Sequence, residues 1–150
     1  MLGEIGETEA GKVDGILARA DDRTLERLAL SVMENNPDIT QIKAPQAGLV
    51  MMRARETVGN AGFNLGELLV TECTVTRRDG EIGWGLCLGE NRERAFHLAV
   101  LDLAWEHIPE QRREMETALT VIAAFVQQLD AALSAGVERT RVRFEVSGNA

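Results

Sequence analysis

Apolar positions along this chain change their period twice, and the changes divide it into elements. From Lys12 to Asn35 they recur at three and four: Ile16 and Leu17, then Leu25, Leu28, Ala29, Val32 and Met33. That spacing lines one face of a helix. DDRTLERL contains a second helix start, because Asp21 or Asp22 suits an N-cap and places acid at the positive helix end. ENNPD closes the section, since proline disfavours helix in the residue before it. Residues 1–11 read as a flexible tail, and residues 12–150 as a single α+β domain.

After Pro45 the period becomes two. In GLVMMRAR, Val50, Met52 and Ala54 share one face while Leu49, Met51, Arg53 and Arg55 share the other, which is a strand pattern. The stretch GELLVTECTVTRRDGEIGWGLCLG reads as a hairpin turning at Asp79-Gly80, a two-residue turn signal. Counting outward pairs Arg77 with Ile82, Val75 with Trp84 and Cys73 with Leu86, so that apolar residues oppose one another. The same count sets Cys87 opposite Glu72 and on the other face from Cys73, which predicts two free thiols. Between the strands lies GNAGFNLGE. A strand follows it, not a helix, and no lysine follows its glycines, so it lacks the setting of a phosphate loop. Gly59, Gly62 and Gly66 fit a flexible connection with a bulge, presenting Phe63 and Asn64 at its tip.

The helical period returns in ENRERAFHLAVLDLAWEHI, from near Asn91 to just before Pro109. Pro109 suits the first position of a further helix and Gly136 its stop. Within it Met115, Leu119, Ile122, Val126, Leu129 and Leu133 step by four and three, a coiled-coil-like seam. Val121 and Phe125 lie off that seam. A second apolar face packs either within the chain or on another one. VERTRVRFEV reads as a final strand, with Val142, Phe144 and Val146 facing one way. The order of helices, three strands, two helices and one strand gives an α+β fold. Its sheet is mainly antiparallel with about four strands, and helices pack on one face.

Composition narrows the function classes. Sixteen basic against 24 acidic residues give a net charge of −8, which opposes general nucleic-acid binding. The first residues, MLGEIGETEAGKVDG, lack the apolar core of a secretory signal. The longest apolar run, around TVIAAFV, falls short of the ~20 residues a membrane span needs. Cys73 and Cys87 are the only cysteines, which suits a reducing compartment. A cytoplasmic chain without membrane or nucleic-acid partners is the expectation.

Candidate chemistry is sparse. Arg53 and Arg55 lie roughly 7 Å apart on one strand face, and Arg141 and Arg143 repeat the arrangement. On neighbouring strands these four would form an anion-binding face suited to phosphate or carboxylate. Alternatively they are polar-out residues neutralised by Glu56, Glu72 and Glu145. His97 and His107 are three helical turns apart, with no metal-ligand spacing near them. Asp102, within AVLDLAW, is either a buried acid or base of raised pKa or a side chain spent on a local hydrogen bond. No GxSxG or nucleophilic cysteine motif occurs. No catalytic set, metal site or cofactor of this chain's own is expected.

Several segments together carry a family resemblance. ARETVGNAGFNLGELLVTECTV (54–75), DGEIGWGLCLGENRERA (79–95), LAVLDLA (98–104) and TRVRFEV (140–146) resemble the PhnG family, the G subunit of the bacterial carbon–phosphorus lyase core complex. ILARADDRTLERLA and QAGLVMMRAR fit the same pattern. The chain departs from it at GENRERAFH and at the closing EVSGNA, where a longer aromatic and basic tail belongs. The resemblance implies an assembly with H, I and J subunits, the I subunit being the direct contact, and an ATPase-like partner. It implies a part in the step in which a phosphonate displaces adenine from MgATP to give a ribose 1-phosphonate 5-triphosphate, with MgATP a substrate of the complex. On that reading GNAGFNLGE is a subunit contact, with Phe63 as apolar anchor and Asn64 or Glu67 fixing orientation, and Val121 and Phe125 form a second contact. Two other readings remain open. One is an autonomous phosphate-ester or nucleotide-binding module using the strand arginines; the other is a homodimer joined through the 110–135 helix.

Overall fold

The computed structural model describes residues 9–139. Its first helical section is two helices, α1 (Glu9–Leu17) and α2 (Asp22–Asn35). Asp21 makes the break. Its backbone is extended, and its carboxylate accepts from the Thr24 N–H at 3.0 Å and the Thr24 hydroxyl at 2.7 Å. This satisfies a donor that the first turn cannot pair internally. α2 ends at Asn35, with Asn36 as C-cap before Pro37. Because α1 begins at Glu9, the expected tail is helical over 9–11.

Three antiparallel strands follow in the order β1 (Thr40–Arg55), β2 (Gly62–Thr76) and β3 (Ile82–Leu88). β1 starts well before Pro45, where the sequence pattern places only its later part. Proline is tolerated because β1 is an edge strand, and the pairing shifts between Lys43 and Gln46, around the proline. The β2–β3 register is also one residue away from the expected one. Thr76 faces Ile82, Thr74 faces Trp84 and Cys73 faces Gly85. The turn explains the shift. Gly80 N–H bonds to the Arg77 carbonyl at 2.9 Å, Arg77 N–H to the Glu81 carbonyl at 3.1 Å, and Gly80 sits at φ +89°. That is a three-residue loop with a glycine bulge, not a two-residue turn. Cys73 and Cys87 consequently share a face, both buried and both free thiols.

The shifted register decides how the helices pack. It turns Gly83 and Gly85 inward, toward α3 (Arg92–His107), and leaves Trp84 and Leu86 exposed. A Cβ on Gly85 would lie 2.1 Å from the Ala95 carbonyl oxygen, and one on Gly83 2.3 Å from that of Ala99. Small residues on both sides thus let helix backbone meet strand backbone. Asn91 caps α3, its side chain accepting from the Arg94 N–H at 3.0 Å. α3 is buried nearly all round, by the sheet on one side and by α1, α2 and α4 (Pro109–Arg139) on the other. Helices therefore cover one face of the sheet, as the α+β reading expects.

Arg94 fastens the layers. Its guanidinium donates to the Ala18 and Ala20 carbonyls at 2.7 and 2.9 Å and to Asp22 at 2.6 Å. The expected stop at Gly136 does not hold: α4 runs through it to Arg139. An exposed helical glycine costs only about 1 kcal/mol, which the helix absorbs. Residues 137–139 of the expected last strand are accordingly helical, and its remainder, with Arg141 and Arg143, lies outside the described residues. The described sheet has three strands where about four were expected.

Candidate functional site

β3 reaches only as far along β2 as Val70. Beyond it, residues 46–55 of β1 and 62–69 of β2 continue as a two-stranded arm with no third strand among the described residues. Side chains on both of its faces are exposed, apart from the half-buried Ala54 and Leu68. Leu49, Val50, Met51, Met52, Phe63, Leu65 and Leu69 all meet solvent. A hairpin of this kind is marginally stable in water by itself, and this one is apolar on both sides.

Phe63, 47% exposed, faces Ala54, and Asn64 faces Arg53. Both lie within β2, not at the tip. The tip is Glu56–Ala61, closed by the Glu56 N–H on the Ala61 carbonyl at 3.1 Å, with Asn60 at φ +55° and Val58 at the apex. A bulge interrupts the arm. Met52 pairs with Gly66 and Arg53 with Asn64, so Leu65 is the extra residue and Gly66 takes φ +148°. This is the bulge that Gly66 announced in the sequence. Glu67 stands opposite Met51.

Arg53 and Arg55 share one face outboard of the bulge. With Ala54, Asn60 and Gly62 they line a polar cleft of about 380 Å³. Neither forms an ion pair among the described residues, whereas Arg19, Arg77, Arg92 and Arg94 each hold a carboxylate.

α4 supplies a second surface. Met115, Leu119, Ile122 and Val126 are buried, as the seam predicts, but Leu129 and Leu133 continue it into solvent. Val121 and Phe125 flank an open groove of about 590 Å³, shared with Ala20, Thr24 and Leu28. The Arg19 guanidinium grips Asp130 through two bonds of 2.6 and 2.8 Å, which holds the Asp130 carboxyl below its usual range. By length and composition Pro109–Val137 is also apolar enough to cross a membrane, which the short run TVIAAFV does not suggest. Only 11% of its most apolar stretch is buried. The structure does not bring Phe63 into one site with Val121 and Phe125: they occupy different elements and share no cavity.

The remaining candidates have structural work. Asp102 accepts the Trp84 N–H at 2.8 Å, a donor on the outer edge of β3. Burial, then the nearby acids Asp14 and Glu106, raise its pKa, against the lowering effect of that hydrogen bond. His107 lies 3.7 Å from Glu81, and His97 packs beside Phe96. The thiols donate to the Lys43 and Asn91 carbonyls, and burial raises both thiol pKa values. The described residues hold no group of three metal-ligating side chains. What sequence reasoning missed is the extent of the arm. Its signal was LVMM, four apolar residues in a row, which leaves neither strand face polar.

The chain matches the family model of phosphonate metabolism protein PhnG over residues 11–148. It is 33% identical over 131 residues to the alpha-D-ribose 1-methylphosphonate 5-triphosphate synthase subunit PhnG of Rhizobium meliloti (strain 1021), an alignment covering 86% of this chain and 81% of the relative.

Proposed function

The chain belongs to the PhnG family of phosphonate metabolism proteins, and from that premise we propose that it is a non-catalytic, accessory subunit of a ribose 1-methylphosphonate 5-triphosphate synthase. The complex it serves uses MgATP as substrate. A phosphonate oxygen displaces adenine at the ribose anomeric carbon, and catalytic groups come from other subunits. The proposed partners are the H, I and J subunits and an ATPase-like protein, with the I subunit in direct contact, all in the cytoplasm.

One observation carries this reading: the β1–β2 arm, apolar on both faces and uncovered among the described residues. Exposed apolar surface of that extent marks a protein contact, and the subunit named in the Rhizobium relative supplies the kind of contact. Phe63 is its aromatic anchor, of the sort that dominates interface energetics.

The test is co-expression with the I-type subunit, followed by size exclusion with mass determination. A stable mixed complex is expected. Phe63→Ala should weaken it at least tenfold, about 1.4 kcal/mol, and leave the fold of the lone chain intact. A well-behaved lone chain that ignores the partner overturns the proposal.

A further inference from the structure

We infer that the arm tip is a polyphosphate clamp in which Arg53 and Arg55 grip neighbouring phosphoryl groups of a triphosphate held by the assembled complex; this rests on the subunit role proposed above. The chain carries 24 acidic against 16 basic residues, yet these two guanidinium groups take no carboxylate among the described residues. The nearest acid along the chain, Glu56, turns its Oε1 toward the loop instead, 2.6 Å from where a Gly59 Cβ would stand. Glu67, opposite Met51, forms no ion pair with either arginine. Among the described residues, that charge has no counter-ion at the tip of an acidic protein.

Geometry gives that charge a shape. Two residues apart on one strand, the arginines stand roughly 7 Å from each other, and each presents a planar fork of donors matched to phosphate oxygens. Asn60 lines the same cleft of about 380 Å³, and its side chain carries an amide donor. Gly62, opposite Arg55, lines it too, and a Cβ there would stand 3.6 Å from the Arg53 guanidinium. The Leu65–Gly66 bulge lies directly inboard, where an extra residue re-aims the strand and its side chains. The arm thus carries a cationic cleft away from the body of the subunit, and a partner binding its apolar faces receives the cleft with it.

The experiment uses the assembled complex and inorganic tripolyphosphate as probe, with methylphosphonate as a second titrant. Arg53→Ala/Arg55→Ala is compared with wild type, with Arg53→Lys/Arg55→Lys and with the control Arg113→Ala. Native mass spectrometry reads assembly, and calorimetry reads binding. The expected result is an intact complex in which the double alanine variant binds tripolyphosphate at least tenfold more weakly. The lysine pair should recover part of the loss, and the Arg113 variant should match wild type. An intact complex with unchanged tripolyphosphate affinity overturns the clamp alone. Loss confined to methylphosphonate overturns the polyphosphate assignment. Dissociation of the double variant makes the arginines interface residues and also overturns the clamp. Failure of the wild-type chain to assemble removes the subunit role, and the clamp with it.

Discussion

Asp102 shows what a single carboxylate does here. An edge strand leaves alternate N–H groups without a strand partner, and Trp84 N–H is one of them, taken by Asp102 at 2.8 Å. Its raised pKa comes first from burial, then from Asp14 and Glu106, so the charge is tolerated, not exploited. The pH dependence follows. A carboxyl whose folded pKa lies above its ordinary value favours the fold when protonated. That contribution is fully present below about pH 3.9 and is lost as pH rises through the folded value. Asp102→Asn keeps an acceptor for Trp84 and removes the charge. It should raise the melting temperature at pH 7, with the gain fading toward pH 4. Asp102→Ala removes the acceptor of the Trp84 N–H and should cost about 0.5–1.5 kcal/mol. An asparagine variant as unstable as the alanine one would refute this role. The cap Asp21 and the helix start near Asn91 were legible because such capping partners lie within three residues. The partner of Asp102 lies 18 positions away on another element, and no local pattern reveals which strand donor faces outward.

At the scale of elements, one turn residue controls a helix–sheet interface. Asp79-Gly80 marks a hairpin correctly, but the sequence does not distinguish a two-residue turn from a three-residue loop with Gly80 in the bulge position. That single residue exchanges the faces of β3. Trp84 and Leu86, the natural core candidates by hydrophobicity, become exposed, and Gly83 and Gly85 take their place against α3. Gly85→Ala should therefore destabilise the fold by at least about 1–3 kcal/mol. The atoms it meets, the Ala95 carbonyl and the Ala99 N–H, are backbone and cannot turn aside. Gly48→Ala, which meets nothing within 4 Å, is the matched control and should cost nothing. Urea unfolding of both variants decides the matter, and equal midpoints would mean that α3 does not rest on the strand backbone. α4 teaches the same lesson differently. Its seam was legible as a stripe from Met115 to Leu133, but a stripe does not say where the neighbouring helices end. Burial stops after Val126 and the stripe continues into solvent.

For the whole molecule, the sequence conveys the α+β class and the helical layer over one sheet face, because period changes and caps are local signals. It does not convey that two of the strands outrun the third. Leu49–Met52 is apolar on both faces, which in an isolated chain reads as a strand buried on both sides. Here the cover is absent among the described residues. Stability must then be uneven. Residues 70–76 and 82–88 are held by α3, and their amides open only with the core. The arm has two strands and no buried side chain from 46 to 55, so its hydrogen bonds open locally at far lower cost. Hydrogen exchange by mass spectrometry tests this. In the lone chain, arm peptides should exchange at least a hundredfold faster than those spanning Glu72–Thr76. Binding of the I-type subunit should slow the arm by a similar factor, since a ligand that binds the closed hairpin stabilises it by mass action. The α3 peptides, already covered, should not change. Protection of the arm in the lone chain equal to that of the core would mean that its apolar faces are satisfied within the chain and leave no surface for a partner subunit to cover.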